Sequence, residues 1–335
     1  MIIPVKTSGS GYNIILEKGA LWRVGEYLNL ERKVLVVTDS GVPEEYWKAV
    51  VNASEEGYVF IFNAGETSKN FDTFKEILET LVKNDFTRTD CIVAVGGGVA
   101  GDMAGFAASC FMRGIDFYNI PTTVLSQVDS SIGGKTAIDF CSVKNIVGAF
   151  YPPKCVIIDT ETLKTLEGRQ IANGLAESVK MALTFDEELF SLFEDGITAE
   201  DLDTVIERSL YIKKRVVEED EKESGLRKTL NFGHTVGHAI EVNSPDLYHG
   251  ECVALGMLPM CSEGVRERLL KVLQSLGLPT SHNVPPQKII EAMKHDKKKS
   301  GESITAVKVE KAGSFTLSEM PFHTLREEIE KAGKI

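Results

Sequence analysis

The sequence predicts an α/β amino-terminal domain with a Rossmann-like, mostly parallel sheet, followed by a mostly α-helical carboxy-terminal domain. In the first half, short and nearly continuous apolar runs alternate with segments of helical periodicity. This alternation is typical of a parallel sheet covered by helices on both faces. After Asp159 the apolar residues keep helical spacing almost throughout. We therefore expect two domains, 1–160 and 161–335.

The first domain contains five predicted strands with helices between them. The strands are expected at residues 33–39, 58–63, 91–95, 117–120 and 155–159. The helices are expected at residues 43–51, 71–83 and 101–111. Strand and helix in alternation favour a doubly wound layer, which binds ligands beyond the carboxyl ends of its strands.

The second domain is predicted to be helical apart from one hairpin. Its helices are expected at residues 163–182, 186–193, 197–217, 228–241, 251–275 and 286–294. The hairpin strands are expected at residues 304–309 and 314–317. Because ligand sites favour domain interfaces, we expect the active site in the crevice between the two domains.

Composition excludes several classes of function. The formal net charge of −12 disfavours nucleic acid and anionic membranes as partners. No apolar run is long enough to span a bilayer, and no secretory signal is visible. The six cysteines show no CxxC spacing and are predicted to be buried, unpaired thiols. These observations predict a cytoplasmic enzyme or binding protein.

The stretch from Arg227 to Glu251 holds three of the six histidines: His234, His238 and His249. His234 and His238 are four positions apart, so on a helix they project from one face. A catalytic zinc site uses three protein ligands and leaves one position open. The clustering favours a metal site over two core histidines and a loop histidine.

A glycine-rich segment follows the third strand and precedes a helix. Gly96, Gly98 and Gly101 form GxGxxG, which suits a pyrophosphate beside a helix amino terminus but also suits a tight turn. Asp39 ends the first predicted strand, where a carboxylate could hold a ribose hydroxyl. Gly65, Glu66 and Lys69 supply a second loop for a phosphate or a solvated turn.

Two further segments carry polar groups of chemical interest. In residues 127–145, Asp129 precedes a GGKT tetrapeptide, but a Walker loop needs a glycine at that position. Lysines after glycines still suit a phosphate ester. In residues 174–180, Glu177 and Lys180 form either an ordinary i, i+3 surface pair or part of the site. Glu177 could complete a metal site with His234 and either His238 or His249.

The chain resembles the 3-dehydroquinate synthases of the sugar phosphate cyclase superfamily over nearly its whole length. The matching segments include AGETSK, AVGGGVAGDMAGFAASCFMRGIDFYNIPTTVLSQVDSSIGGKTAIDF, VKNIVGAFYPPKCVIIDTETLKTL, NGLAESVK, GLRKTLNFGHTVGHAIE and YHGECVALGM. The resemblance implies an NAD-binding α/β domain, a helical metal-binding domain and a homodimer. It also implies Zn²⁺ as the metal, with Co²⁺ as a substitute.

The resemblance assigns roles residue by residue. It makes Glu177, His234 and His249 the metal ligands, and it moves His238 to the substrate phosphate. The implied catalytic residues are Asp129, Lys135, Asn145, Lys180 and His238. The implied substrate-binding residues are Lys213, Arg227, Asn231, Lys297 and Arg113, the last from the partner subunit. The implied NAD-binding residues are Asp39, Gly65, Glu66, Lys69, Gly97, Gly98, Val99, Gly101, Asp102, Thr122, Thr123, Lys135, Lys144, Thr162, Leu163 and Thr165.

The implied reaction converts 3-deoxy-D-arabino-heptulosonate 7-phosphate to 3-dehydroquinate in the shikimate pathway. It would proceed through transient oxidation by NAD⁺, phosphate elimination, reduction, ring opening and an aldol closure. Alternatives are another sugar phosphate cyclase, such as 2-deoxy-scyllo-inosose synthase, and a metal-dependent polyol dehydrogenase. A non-catalytic NAD-binding protein is the least favoured. Small departures from the family pattern fall at Ser178, Met181 and Val236.

Overall fold

A computed structural model describes residues 1–9, 11–141, 143–221, 223, 225–296 and 303–332. The chain divides into two compact units, Met1–Glu167 and Gly168–Ile335. The division lies a few residues beyond the expected position because a 3₁₀ turn, Thr160–Thr165, follows the last strand of the first unit. Within the described residues, no helix is long and apolar enough to cross a bilayer.

The first unit is built on a mostly parallel sheet. Its strands are β1 (Ile2–Val5), β2 (Tyr12–Leu16), β3 (Lys33–Asp39), β4 (Glu56–Phe62), β5 (Cys91–Gly96), β6 (Asp116–Pro121), β7 (Lys135–Phe140), β8 (Val143–Phe150) and β9 (Cys155–Ile158). Seven of them form one sheet in the order β1-β2-β9-β6-β5-β3-β4, in which only β1 and β2 pair antiparallel. This confirms the predicted Rossmann-like layer.

Helices cover both faces of this sheet. They are α1 (Glu44–Ala53), α2 (Phe71–Lys83) and α3 (Gly98–Cys110). On one face α2 and α3 bury a core that includes Leu35, Phe74 and Ile92. On the other face α1 buries a core that includes Val36 and Trp47. Because both faces of β3 and β5 are buried, their sequences are nearly continuous apolar runs.

The strand order changes direction at β3. From β3 the chain crosses to β4 on one side, and it returns through β5 on the other side. Crossovers that leave in opposite directions open a crevice at the carboxyl ends of the two central strands. Asp39 ends β3 and Gly96 ends β5, so these two residues border that crevice.

The strands β7 and β8 form a separate antiparallel hairpin that the sequence did not predict. Glycine, lysine and asparagine interrupt its apolar residues, so neither strand shows a clean alternation. Most of β8 is exposed. The hairpin turns at Cys141, where φ is 50°.

The second unit is mostly helical, as predicted. Its helices are α4 (Gly168–Phe185), α5 (Glu187–Asp195), α6 (Leu202–Glu219), α7 (His234–Asn243), α8 (His249–Met257), α9 (Glu263–Ser275), α10 (Pro286–Asp296) and α11 (Phe322–Ala332). The predicted hairpin is present as β10 (Ser303–Lys308) and β11 (Thr316–Pro321).

Several sequence predictions need correction. The helix expected at 163–182 begins only at Gly168, after the 3₁₀ turn Thr160–Thr165, and the helix expected at 197–217 begins only at Leu202. The helix expected at 251–275 is two helices, because the chain tightens into a 3₁₀ turn at Leu258–Met260 and Cys261 then adopts an extended backbone. The helix expected at 228–241 begins only at His234, after a 3₁₀ turn at Leu226–Asn231. All six cysteines are unpaired, but Cys110 and Cys141 are exposed because they lie at the end of α3 and in the hairpin turn.

Candidate active site

Several of the residues expected to bind NAD lie at the carboxyl edge of four neighbouring parallel strands. Asp39 ends β3 and Gly96 ends β5, while Thr122 and Thr123 follow β6. The 3₁₀ turn Thr160–Thr165, which holds Thr162, Leu163 and Thr165, follows β9. Since β3, β5, β6 and β9 are adjacent in the sheet, the fold gathers these segments along one edge.

The glycine loop lets main chain occupy space that side chains would fill. Gly96 has a φ of 154°, and a Cβ there would lie 2.9 Å from the Cβ of Ala100. The backbone amide of Thr122 donates to the carbonyl of Gly96 at 2.9 Å. A Cβ on Gly98 would lie 3.1 Å from the Oγ of Ser130. Since α3 begins at Gly98, its unsatisfied amides form a site suited to pyrophosphate.

Lys69 joins three segments of the first unit. Its Nζ lies 2.6 Å from an Asp102 carboxylate oxygen, 2.5 Å from the Asn145 amide oxygen and 3.6 Å from Glu66. Asp139 accepts a hydrogen bond from the Asn145 backbone amide at 2.8 Å. The structure thus brings Asn145, expected to bind substrate, against residues expected to bind NAD.

Burial sets the protonation of this cluster. Burial raises the pKa of Asp102 to about 6, although the Lys69 ammonium acts in the opposite direction. The pKa of Lys69 is raised overall: burial alone would lower it, but the negative charges of Asp102 and Glu66 have the larger effect. Burial also raises the pKa of Asp39, whose carboxylate accepts from the Gly41 amide at 2.8 Å. Near neutral pH, Asp102 and Lys69 therefore form an ion pair.

The second predicted polar segment contains a π-helical turn. Asp129 lies in this turn, Ser126–Ser130, and is half-buried. Such turns are rare and often occur at functional sites. Lys135 begins β7 and Lys144 lies on β8, and both side chains are exposed.

In the second unit, a buried carboxylate is surrounded by two histidines and a lysine. Glu177 on α4 is fully buried. One of its oxygens lies 3.3 Å from His234 Nε2 and 3.6 Å from His249 Nε2. The other lies 2.5 Å from Lys180 Nζ. Neither oxygen accepts a hydrogen bond of good geometry from the described residues. A buried carboxylate oxygen without a hydrogen-bond donor needs another partner, and a metal cation can supply it.

The third histidine of the stretch is also close. Ligand atoms of His234, His238 and His249 all lie within 4.8 Å of one another. Their ring centroids are 5.2 to 5.7 Å apart. The chain therefore offers two overlapping donor sets, three histidines or Glu177 with two of them. His238 is exposed, whereas Glu177 is buried between the Nε2 atoms of the other two.

The donor set carries one proton that a metal would displace. Burial lowers the pKa of His234 to about 3, so this ring is neutral. Burial also disfavours the charged form of His249, but the carboxylates of Glu177 and Glu241 outweigh it and raise its pKa to about 9. Burial would raise the pKa of Glu177, but the Lys180 ammonium, together with the protonated His249 ring, outweighs it and holds that pKa well below its usual range.

Close backbone packing positions these histidines. A Cβ on Gly256 of α8 would lie 2.0 Å from the carbonyl oxygen of Gly233, which precedes α7. A Cβ on Gly250 would lie 1.9 Å from the carbonyl oxygen of Asn173 on α4. Only glycine permits both approaches. They hold α8, and with it His249, directly against the elements that carry His234 and Glu177.

The remaining predicted residues of the second unit lie near this cluster in sequence and are mostly buried. Lys180 is 1% exposed and donates to the carbonyl of Leu230 at 2.8 Å, which excludes the surface-pair interpretation. Lys213 and Arg227 are buried, and Arg227 donates to the carbonyl of Glu221 at 2.7 Å. Asn231 is exposed and donates to a Glu223 carboxylate oxygen at 2.9 Å. Lys297 lies outside the described residues.

Arg113 is exposed and has a φ of 69°, directly after Met112 with a φ of 47°. Two consecutive non-glycine residues in this region carry backbone strain, which clusters at functional sites.

Sequence reasoning missed Glu241, whose carboxylate lies 3.4 Å from His249 Nδ1. Its spacing of seven from His234 on one helix face was the available signal.

Comparison with known proteins identifies the family. The model for the 3-dehydroquinate synthase N-terminal region matches residues 59–173, and the model for its C-terminal region matches residues 174–299. The chain belongs to the 3-dehydroquinate synthase family. The 3-dehydroquinate synthase of Streptococcus thermophilus is 40% identical, with 99% of this chain and all of that protein covered. The Streptococcus mutans enzyme is also 40% identical, with 96% and 97% covered.

Solved structures of related cyclases share the fold of this 3-dehydroquinate synthase family member. One is a 2-deoxy-scyllo-inosose synthase complexed with carbaglucose-6-phosphate, NAD⁺ and Co²⁺, with a TM-score of 0.89, 26% identity, and 99% of this chain and 100% of that chain covered. Another is a 2-epi-5-epi-valiolone synthase from Streptomyces hygroscopicus with NAD⁺ and Zn²⁺, with a TM-score of 0.88, 25% identity and 98% of each chain covered.

Proposed function

We infer that this chain is a 3-dehydroquinate synthase that converts 3-deoxy-D-arabino-heptulosonate 7-phosphate to 3-dehydroquinate and phosphate. Full-length similarity to curated members of the family supports this activity. The observation that carries the chemistry is the buried Glu177 carboxylate facing two imidazole Nε2 atoms. Such a donor set suits a zinc-like cation with an open position for substrate.

We propose Glu177, His234 and His249 as the metal ligands, with Zn²⁺ or Co²⁺ as the cation. When bound, the metal polarises a substrate hydroxyl and NAD⁺ accepts and later returns a hydride. His249 must release its proton before its Nε2 can bind a cation, because its pKa is raised to about 9. The three-histidine set remains the alternative, since His238 lies in the same cluster.

NAD⁺ is proposed to bind along the carboxyl edge of the first unit's sheet. The amino terminus of α3 and the glycines Gly97, Gly98 and Gly101 would meet the pyrophosphate. Asp39 would hold a ribose hydroxyl. The other proposed contacts are Gly65, Glu66, Lys69, Val99, Asp102, Thr122, Thr123, Lys135, Lys144, Thr162, Leu163 and Thr165.

The substrate is proposed to be held by charged and amide groups. Lys135, Asn145 and His238 would orient the phosphate for elimination, which is a positioning role. Lys213 and Arg227 suit the substrate carboxylate, because a guanidinium can bind it through two parallel hydrogen bonds. Asp129, Lys180, Asn231 and Lys297 complete the proposed contacts.

We further propose a cytoplasmic homodimer in which Arg113 reaches the active site of the partner subunit. The exposure and strained backbone of Arg113 support a role at an interface. Met112, next to Arg113, is 43% exposed, and Phe150 at the end of β8 is 57% exposed, which supports contact surfaces on the first unit. Six unpaired cysteines support a reducing compartment.

Release of inorganic phosphate from the heptulosonate phosphate, with and without a chelator, tests this function. We expect release to require both NAD⁺ and the metal and to be stopped by the chelator. Release that survives complete metal removal would contradict the metal role.

The second candidate is a 2-deoxy-scyllo-inosose synthase, favoured by the similarity to that solved structure. Its substrate, glucose 6-phosphate, has no carboxylate for Lys213 and Arg227. Turnover of glucose 6-phosphate instead of the heptulosonate phosphate would establish that candidate. Steady accumulation of NADH absorbance would indicate a polyol dehydrogenase.

A further inference from the structure

The two proposed histidine ligands face the site with the same ring nitrogen. The Nε2 atoms of His234 and His249 lie 3.3 and 3.6 Å from the same oxygen of Glu177. The second ring nitrogen, Nδ1, of each histidine lies beside an oxygen that is not part of Glu177. His234 Nδ1 is 3.3 Å from the carbonyl oxygen of Phe232, and His249 Nδ1 is 3.4 Å from a carboxylate oxygen of Glu241.

These outer oxygens decide which nitrogen can bind a cation. An oxygen acceptor beside Nδ1 favours the tautomer with the proton on Nδ1, which leaves the Nε2 lone pair directed inward. His234 has a neutral backbone carbonyl for this purpose, whereas His249 has a carboxylate. A carboxylate partner also increases the basicity of the ring.

Glu241 contacts His249 at the ring nitrogen that does not face Glu177. Glu241 lies on α7, seven residues after His234, and its side chain is 16% exposed. Its carboxylate lies 3.4 Å from the outer ring nitrogen of His249, on α8. The helices α7 and α8 pack backbone against backbone at Gly256, which keeps the main chain that carries Glu241 close to the main chain that carries His249.

We propose that Glu241 is a positioning residue that fixes the tautomer and orientation of His249 for metal binding. This inference rests on the proposed function, because it requires a cation at the cluster. It assigns Glu241 no direct bond to the cation or to the substrate. The purely structural alternative is that Glu241 only ties α7 to α8.

Cobalt binding separates these two roles. The protein is freed of metal, and its Co²⁺ affinity is measured by competition with a chelator for the parent chain, Glu241→Gln and Glu241→Ala. Glu194→Gln is the matched control, because Glu194 pairs with Arg268 at 2.6 Å between α5 and α9 and contacts no histidine of the cluster. The visible absorption bands of bound Co²⁺ and the midpoint of thermal unfolding of the metal-free protein are recorded for each variant.

We expect Glu241→Ala to weaken Co²⁺ binding by about 10- to 100-fold, the range typical of outer-shell partners. Glu241→Gln should lose less affinity, because its amide oxygen can still accept a hydrogen bond from the Nδ1–H of His249, and its Co²⁺ bands should shift as the basicity of the ring falls. In the Zn²⁺-loaded protein, the slowly exchanging Nδ1 proton of His249 should be detectable by NMR and should be lost in Glu241→Ala. Glu194→Gln should change thermal stability without changing the Co²⁺ bands.

Unchanged Co²⁺ affinity and unchanged bands in Glu241→Ala would overturn the positioning role, even if thermal stability fell. Equal losses of Co²⁺ affinity in Glu241→Ala and Glu194→Gln would do the same, because they would indicate general weakening of the unit. Failure of the parent chain to bind Co²⁺ would overturn the proposed metal function together with this inference. If the parent chain binds Co²⁺ and releases phosphate while Glu241→Ala behaves like the parent, only the inference about Glu241 fails and the proposed function stands.

Discussion

Each unit of the chain contains a buried lysine–carboxylate pair, and the two pairs differ in what surrounds them. Lys69 and Asp102 are 2.6 Å apart in the first unit, and Lys180 and Glu177 are 2.5 Å apart in the second. Burial raises the pKa of Asp102 to about 6. At Glu177 burial acts in the same direction, but Lys180 and the protonated His249 ring outweigh it and hold the pKa well below its usual range.

The difference follows from the partners of each carboxylate. Lys69 also contacts the amide oxygen of Asn145 and lies 3.6 Å from Glu66, so its charge is shared among several oxygens. Glu177 instead faces Lys180 and two imidazoles, and its oxygens accept no well-formed hydrogen bond from the described residues. The polar groups around Lys69 already have partners, which suits a neutral or anionic ligand. The Glu177 oxygens lack hydrogen-bond donors among the described residues, which suits a cation.

The largest effect is expected from Glu177→Gln, which keeps the side-chain shape and removes the charge. Metal affinity should fall by more than the roughly 10- to 100-fold typical of outer-shell substitutions, because a direct ligand is lost. Phosphate release should fall with it. Metal content after dialysis and NAD⁺ affinity should be measured together, and NAD⁺ affinity should change little because the proposed NAD⁺ contacts all belong to the first unit.

The matched variant for this experiment is His238→Asn. It should keep the metal and lose activity if Glu177, His234 and His249 are the ligands. The opposite pattern, with metal lost in His238→Asn and kept in Glu177→Gln, would establish the three-histidine set instead.

The next largest effect is expected from Lys69→Met, which leaves Asp102 without its cation. Breaking a buried pair from one side costs about 3–5 kcal/mol of unfolding free energy in general. The cost here should lie at or below the lower end, because the raised pKa lets Asp102 take up a proton. NAD⁺ affinity should fall while metal content stays unchanged, as measured by calorimetric titration and metal analysis.

The double variant Lys69→Met with Asp102→Asn controls for stability. It should recover most of the unfolding free energy without recovering NAD⁺ affinity. Recovery of both would mean that Lys69 only supports the fold. Lys48→Met, at an exposed i, i+4 pair with Glu44, should change the unfolding free energy by less than about 1 kcal/mol.

A smaller effect is expected from Arg227→Lys, which keeps the charge and removes the planar fork. The KM for the heptulosonate phosphate should rise about tenfold, equivalent to about 1.4 kcal/mol, because two parallel hydrogen bonds to the carboxylate cannot form. Metal content should be unchanged. Steady-state kinetics check this, and kinetics equal to those of the parent chain would remove Arg227 from the substrate site.

The smallest effect is expected at a structural ion pair outside both sites. Asp186 caps α5 through the Leu189 amide at 3.0 Å and pairs with Arg208 at 2.7 Å. Burial raises the pKa of Asp186, but the hydrogen bonds from Arg208 and Leu189 outweigh it and lower that pKa. Asp186→Asn keeps the cap and removes the charge. It should cost about 1 kcal/mol of unfolding free energy at neutral pH, since Arg208 is partly exposed to solvent.

The sign of its pH dependence follows from the lowered pKa. The ionised carboxylate stabilises the fold above its unfolded pKa of about 3.9, and this contribution is lost as pH falls through the lower folded value. Denaturant titrations of both proteins should therefore diverge at pH 7 and converge below about pH 4. A difference that persisted unchanged into acid would point to the cap and not to the charge.

The sequence predicted the elements whose local pattern and burial agree. The helix at 71–83 and the strand at 33–39 match their predicted bounds, because both have a well-defined apolar face or run. The β7–β8 hairpin was missed because most of its side chains are exposed or only partly buried, so its sequence lacks the apolar pattern of a core strand. The end of α8 was missed because helical spacing continues through a 3₁₀ turn that contains Pro259.

The candidate site was only partly predictable for a different reason. Local spacing paired His234 with His238, which are one turn apart. The 3.3 Å contact of His234 with Glu177 spans 57 positions of sequence and depends on how α4 packs. The residues alone suggested Glu177 with His234 as one possibility, and family resemblance was needed to choose His249 over His238. The contact between Lys69 and Asn145 spans 76 positions and was not anticipated from the sequence.

The glycine contacts around α8 make the spacing of the metal donors a property of the main chain. At Gly256 and Gly250 backbone lies against backbone, so no side chain there can bend or repack to adjust the distance between His249 and Glu177. A designer who wished to move this site to another protein would have to transfer the packed helices with their glycines. The three donor side chains alone, placed on helices that meet through ordinary side chains, would be held farther apart.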